Sequence, residues 1–367
     1  MNPTRRRWLA TLPATLSAVR PARADGVHRG RRMVWPADHG AHLDTRTEWW
    51  YATGWLGTPQ APSHGFQVTF FRSRTGWGQD HPGRLAPRHL LFAHAAVTDL
   101  AAQRHWHDQR ITRWNGDPTA SQDHQAGAVT DDTRVWVGPW TLQRNADGYL
   151  SQVGSAGTGP SWSLALDLRT TQPVLLQGDA GFSRKGPAER QASHYYSQPQ
   201  LAARASIVLD GRRVAATGQG WLDHEWSDEI LAADAVGWDW IGLNGFDGSA
   251  LTAFRLRRAD GTALWAGGSH RPVGAEARRF GPTDVTWTAG RRWRSPATGA
   301  SYPMDWQVDT PVGPVRVRAL LDGQELDSRR STGTVYWEGL SEWLDGSERR
   351  IGLGYLEMTG YAGTLRL

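Results

Sequence analysis

The chain of 367 residues contains no cysteine. This excludes disulfide staples, iron–sulfur clusters, cysteine-ligated zinc and thiol catalysis. Lysine is nearly absent as well: Lys185 stands alone, and arginine carries almost all the positive charge. The formal net charge of +5 invites a nucleic-acid partner, but the excess lies in residues 1–24, which hold Arg5, Arg6, Arg7, Arg20 and Arg23 and no acid. The rest of the chain has 36 basic and 36 acidic residues, and a neutral body offers no footprint for phosphate. After the N-terminus, nothing approaches the ~20 continuous apolar residues of a membrane-spanning helix. Several chemical signatures are missing too. There is no Gly-x-Ser-x-Gly elbow, no Walker loop and no Gly-x-Gly-x-x-Gly. His224-Glu225 is not the start of a His-Glu-x-x-His pair.

Tryptophan is what the chain has in excess: 21 residues against 8 Tyr and 8 Phe. With 42 Gly and 20 Pro, this composition favours short strands and tight turns over long helices. Thr4-Arg5-Arg6-Arg7-Trp8-Leu9, an apolar stretch to Val19, and Ala22-Arg23-Ala24 before Asp25 together read as a twin-arginine export signal cleaved after Ala24. The expectation is a periplasmic or secreted protein.

From Thr47 onward the periodicity is mostly two, as in Phe66-Gln67-Val68-Thr69-Phe70 and Leu164-Ala165-Leu166-Asp167-Leu168. Asp-Gly pairs at 147, 210, 247, 260, 322 and 345 mark hairpins. Residues 227–236 read as a short helix or a loop. Two aromatic–acid clusters, Glu48-Trp49-Trp50-Tyr51 and Trp238-Asp239-Trp240, each open a hairpin that ends in Phe and Arg. This weak repeat predicts two similar β domains, 33–190 and 191–367, with the boundary in the Pro-broken stretch 184–200.

The chemistry concentrates in Gly220-Trp221-Leu222-Asp223-His224-Glu225-Trp226. On a strand, Trp221, Asp223 and Glu225 share one face; His224 and Trp226 share the other. Two carboxylates at i and i+2 lie roughly 6–7 Å apart along the backbone, close enough to raise one pKa if uncompensated. In the hairpin 238–257, a two-residue Asp247-Gly248 turn pairs 239 with 256. Trp238 and Trp240 then face Arg257 and Arg255, and Asp239 sits on an apolar face with Phe254 and Leu256, where desolvation makes it a candidate general acid. His94 alternates with Ala96 and Thr98 and reads as a core histidine, while His105-x-His107 reads as solvated surface without a third metal ligand. Tyr336-Trp337-Glu338 and Tyr355-Leu356-Glu357 read as polar anchors for tryptophans. No metal and no cofactor is expected.

Six ordered segments, 47–51, 65–72, 92–99, 220–226, 237–240 and 354–361, together resemble the AttH-like proteins, a family that includes the carotenoid 1,2-hydratases and secreted proteins described as hydrolases. The resemblance implies an all-β fold of two tandem lipocalin-like antiparallel β-barrels packed together, and an apolar, isoprenoid- or lipid-like ligand. It implies acid-catalysed hydration or hydrolysis, with Asp223, His224 and Trp226 matching the Asp-His-x-Trp segment of the hydratases, and an aspartic acid as proton donor, for which local spacing offers Asp239. Glu225 inside that segment is a feature of the secreted branch. Trp221, Trp238, Trp240, Glu48, Trp50, Tyr51 and His94 become candidate ligand-binding residues. The secreted branch also suggests a non-catalytic carrier working with ABC transporter components. Tryptophan platforms with paired carboxylates leave a carbohydrate-active protein as a third possibility.

Overall fold

The computed structural model describes residues 26–364, apart from 82, 84, 121–123, 156–160 and 230. The export signal expected in 1–24 lies outside the described residues. Among those residues there is no α-helix, only the 3-10 turn Ala37–His39; the segment after Ser227 is a loop. The alternating runs of the sequence become strands of two large antiparallel sheets.

The first sheet has 13 strands. Its opening strand, Thr47–Gly57, pairs on one side with Pro62–Arg74 and on the other with the late strand Arg212–Ser227. A meander through His89–Asp99 and Arg104–Trp114 forms one wing. Ala192–Leu209, Trp162–Arg169 and the short strands back to Ala126–Ala128 form the other, and its end approaches the first wing to make a nearly closed barrel. The second sheet has 10 strands and repeats the plan: its first strand, Gly237–Gly245, pairs with the next, Ala250–Arg257, and with the last, Arg350–Met358. This shared pairing is the structural counterpart of the repeat read in the sequence.

The domain boundary differs from the expected 190/191. Ala192–Leu209 and Arg212–Ser227 belong to the first sheet, and the chain crosses to the second between Ser227 and Gly237. Lys185-Gly186-Pro187 breaks the strand pattern as expected, but at a turn inside the first unit. The Asp210-Gly211 hairpin has the expected two-residue turn, with both residues at positive φ and Leu209 paired with Arg212.

Strand alternation supplies three apolar layers. Trp50, Ala52, Leu222 and Trp226 point into the first barrel, and Ile241, Leu243, Leu356 and Met358 into the second. The opposite faces of the same strands are also apolar. Tyr51, Trp55, Trp221, Trp240, Phe254, Leu340 and Tyr355 form a third cluster, which joins the barrels. Glycines permit this close contact: a Cβ on Gly65 would lie 2.7 Å from Tyr355 Oη, and one on Gly242 would lie 3.2 Å from Trp221 Cε2.

Candidate active site between the two barrels

A cavity of about 270 Å³ opens within the third layer. Its aromatic walls come from both units: Trp49, Phe71 and Phe92 on one side, Trp238, Trp240 and Phe254 on the other. Five acidic residues line it as well. Glu48, Asp223 and Glu225 come from the first sheet, Glu338 and Glu357 from the second. A space this apolar disfavours negative charge, so each acid has either found donors or kept its proton.

Asp223 is fully enclosed. Ser197 Oγ and Trp221 Nε1 donate to its Oδ1 at 2.5 and 2.7 Å, and Tyr195 Oη donates to Oδ2 at 2.6 Å. Burial nevertheless pushes its pKa up to about 7 against these donors, with the nearby Glu225 adding to the rise. Glu225 has a cation of its own. Lys185 Nζ lies 2.9 Å from its Oε1, and Ser193 Oγ donates to the same oxygen. The ammonium is sheathed by the Tyr195 and Phe254 rings at 4.7 and 4.2 Å.

Glu338 and Glu357 face each other directly across neighbouring strands, Val335–Leu344 and Arg350–Met358. Burial pushes both pKa values up, and the carboxyl opposite pushes Glu338 further still. Like charges at cross-strand spacing cannot both be present in a dry site, so at least one acid stays neutral. Glu357 is the more exposed of the two, at the cavity wall.

The other half of the Gly220–Trp226 motif points the opposite way, as its alternation requires. His224 and Trp226 lie in the first barrel. His224 Nε2 meets Glu48 Oε1 at 2.9 Å, and its ring stacks on Trp50 at 4.8 Å. Glu48 also holds Arg72 Nε at 2.8 Å and His42 Nδ1 at 2.8 Å, and His42 stacks on Trp226 at 3.6 Å. Burial opposes the charge on Glu48, but Arg72 and the two histidines hold its pKa well below the usual range. Burial lowers the pKa of His224 despite the Glu48 contact. His42, Glu48 and His224 place one ligand atom each within 4.8 Å of one another. Both nitrogens of His42 already face carboxylates, Glu48 at 2.8 Å and Asp38 at 3.0 Å, so the cluster is internally satisfied as a charge network.

Asp239 departs from the sequence reading. The turn after Gly245 holds three residues, with Gly248 at positive φ and Gly245 N–H donating to Ser249 O. Asp239 therefore pairs with Arg255 rather than with 256. A one-residue slip exchanges every face of the hairpin. Trp238 and Trp240 now share a face with Leu256 and Phe254 in the cavity, and Asp239 turns toward the second barrel. There Arg255 and Arg257 lie 2.8 and 2.9 Å from its Oδ2, and Tyr361 Oη donates to Oδ1 at 2.9 Å. It is buried between two guanidinium groups rather than on the apolar face that the sequence reading gave it.

Of the other candidates, Tyr51, Trp238 and Trp240 line the cavity, and Trp221 braces it through Asp223. His94 stands behind Phe71 and Phe92, with its nitrogens 2.8 Å from Tyr336 Oη and 2.7 Å from Ser331 Oγ; burial lowers its pKa to about 3. Trp50 belongs to the first core, and Glu48 borders both spaces. His105 and His107 are half-buried rather than surface residues: burial lowers both pKa values, and His105 Nδ1 meets Thr98 Oγ1 at 2.9 Å. The sequence reading set aside Glu338 and Glu357 as anchors and gave Lys185 no role. The available signal was that each acid directly neighbours a buried core residue, Trp337 or Leu356, and so must face away from that core.

Fold and site together define an all-β protein of two joined barrels with an acid-lined apolar cavity at the junction. The chain belongs to the AttH-like family, whose model matches residues 26–361. A crystal structure from Nitrosomonas europaea, solved at 2.00 Å as an AttH candidate, is 41% identical, covers 92% of this chain and 99% of its own, and superposes with a TM-score of 0.81. Kievitone hydratase from Nectria haematococca shares the fold at 15% identity, with 91% and 94% coverage and a TM-score of 0.62. Among curated proteins, none matches significantly.

Proposed function

We propose that the protein is an exported hydratase that adds water to a carbon–carbon double bond of an apolar, isoprenoid- or lipid-like substrate held between the barrels. The observation that carries this reading is the facing pair Glu338 and Glu357 on the wall of an aromatic cavity. Protonating an alkene needs an acid that still holds its proton near neutral pH, and burial provides one here. Glu357, the more exposed of the two, gives its proton to one alkene carbon. The cation that forms is flanked by the faces of Trp238 and Trp240. Water bonds to the other carbon, and its departing proton goes to Asp223, a carboxylate poised near 7; solvent exchange resets both acids. The hydratase name of one relative with this fold supports the reaction class. The Arg5-Arg6 leader supports twin-arginine export to the periplasm or beyond.

The test begins with protein purified from its own periplasm, native mass spectrometry and solvent extraction. The extracted compound is then incubated with the protein in heavy-oxygen water. Incorporation of one labelled hydroxyl is the expected result. A ligand that the wild type binds and never converts overturns hydration and makes the protein a carrier, with ABC transporter components as partners to seek.

A further inference from the structure

A second cavity, of about 310 Å³, lies beside the first at the junction of the barrels. Its apolar walls are Phe182 from the first unit and Phe254, Trp265 and Phe280 from the second. Among the described residues, Phe254 alone lines both cavities. Strand pairing explains how. Glu338, Glu357, Trp240, Phe254 and Gly267 stand opposite one another in a single row across five neighbouring strands, from Val335–Leu344 to Ala263–Arg271. Residues directly paired in an antiparallel sheet project from the same face. The row therefore runs from the acid pair past Trp240 to the Phe254 ring, and on to Gly267 in the second cavity. Both cavities lie on one face of one sheet, with a side chain between them.

That side chain is anchored from both directions. Lys185 Nζ, itself held by Glu225, lies 4.2 Å from the centre of the Phe254 ring on the side of the first cavity. On the other side, a Cβ on Gly267 would lie 3.0 Å from Phe254 Cζ, so the bare glycine makes the room that the ring occupies. Resting on the hydration reading above, we propose that Phe254 sets the chain length of the substrate. The reacting carbon lies at Glu357, the apolar chain follows the row, and its far end stops against the Phe254 ring. Glu357 and Phe254 are two strands apart, roughly 10 Å at ~4.8 Å per strand. The second cavity is the space that a longer chain enters when the ring is removed.

The test uses saturated straight-chain alcohols from octanol to hexadecanol, which are neutral and hold no double bond to hydrate. Their affinities are read by displacement of the fluorescent probe N-phenyl-1-naphthylamine. For the wild type, affinity should climb about fourfold per added CH₂ and then level off where the chain meets Phe254. Phe254→Ala should move that plateau to longer alcohols by at least two carbons. Tetradecanol should then bind the variant at least tenfold more tightly than the wild type, while octanol binds no tighter. Phe254→Leu, a milder truncation, should shift the plateau in the same direction. Gly267→Ala pushes the ring back toward the first cavity and should move the plateau to shorter chains. Thermal unfolding of each variant checks the fold. A wild type without a plateau, a plateau unchanged in the folded Phe254 variants, or no displacement by any alcohol overturns the assignment. The readout needs no turnover. A length limit that moves as expected, with an extracted ligand that is never hydrated, would leave Phe254 as the ruler of a carrier and remove the hydratase reading. Hydration with an unmoved limit would do the reverse.

Discussion

Glu338 and Glu357 sit opposite each other on adjacent strands, with their carboxyls on the wall of the cavity between the barrels. Neither has a cation beside it comparable to Lys185 at Glu225 or to Arg255 at Asp239. Two facing acids without a counter-charge share their protons, and this makes the pair chemically distinct from the ion pairs around it.

Glu357→Gln should leave the fold intact, because a neutral amide replaces an acid that keeps its proton up to about pH 7. The expected loss in turnover of the extracted ligand is about a hundredfold or more, the usual contribution of a positioned acid. Single-turnover rates with matched thermal melts check this; a variant that retains full rate would show that the proton comes from elsewhere.

Asp223 gives a pH signature. Its pKa rises from 3.8 to about 7 in the folded state. The native protein therefore keeps a proton that the unfolded chain releases. That stabilisation is complete below the unfolded value and is lost as the pH rises through the folded one. Asp223→Asn cannot titrate. Measured by urea unfolding across this window, the variant should gain on the wild type as the pH rises from 3.8 to about 7 and hold a constant difference above it. A difference independent of pH would show that Asp223 is ionised throughout.

Lys185→Met should strip Glu225 of its counter-charge in a site where both side chains are under a tenth exposed. Breaking a buried pair costs about 3–5 kcal/mol, most of it from the charge left behind. Adding Glu225→Gln removes that charge and should recover at least half of the loss. Chemical denaturation of the two single variants and the double reads the coupling directly. Additive losses would mean that the two groups do not depend on each other.

Asp239→Asn separates the two readings of that residue. With Arg255 and Arg257 left facing a neutral amide, stability should fall by about 3 kcal/mol, while kcat of the folded protein stays within about twofold of wild type. A folded variant with a hundredfold lower kcat would return Asp239 to the role of acid.

Much of the architecture was legible in particular residues. Alternation in Gly220–Trp226 correctly separated Trp221, Asp223 and Glu225 from His224 and Trp226, because side-chain period on a strand is local geometry. Asp210-Gly211 announced its turn through residues that tolerate positive φ. The register at Asp239 failed for a reason of the same kind. Asp247-Gly248 allows a two- or a three-residue loop, and the choice rests on Phe246 and Ser249 contacts that appear only in the folded hairpin.

The sequence by itself determined the strands, the duplicated plan and the two faces of each strand, because these follow from periods of two and from turn chemistry. Only the tertiary structure decided that the outer faces of two barrels meet. That contact brings Tyr51, Asp223 and Glu225 into one cavity with Glu338 and Glu357, more than a hundred residues away along the chain. It also decided which acids keep their protons. A pKa depends on the burial and charges surrounding a group, and those come from chain segments that no local pattern connects.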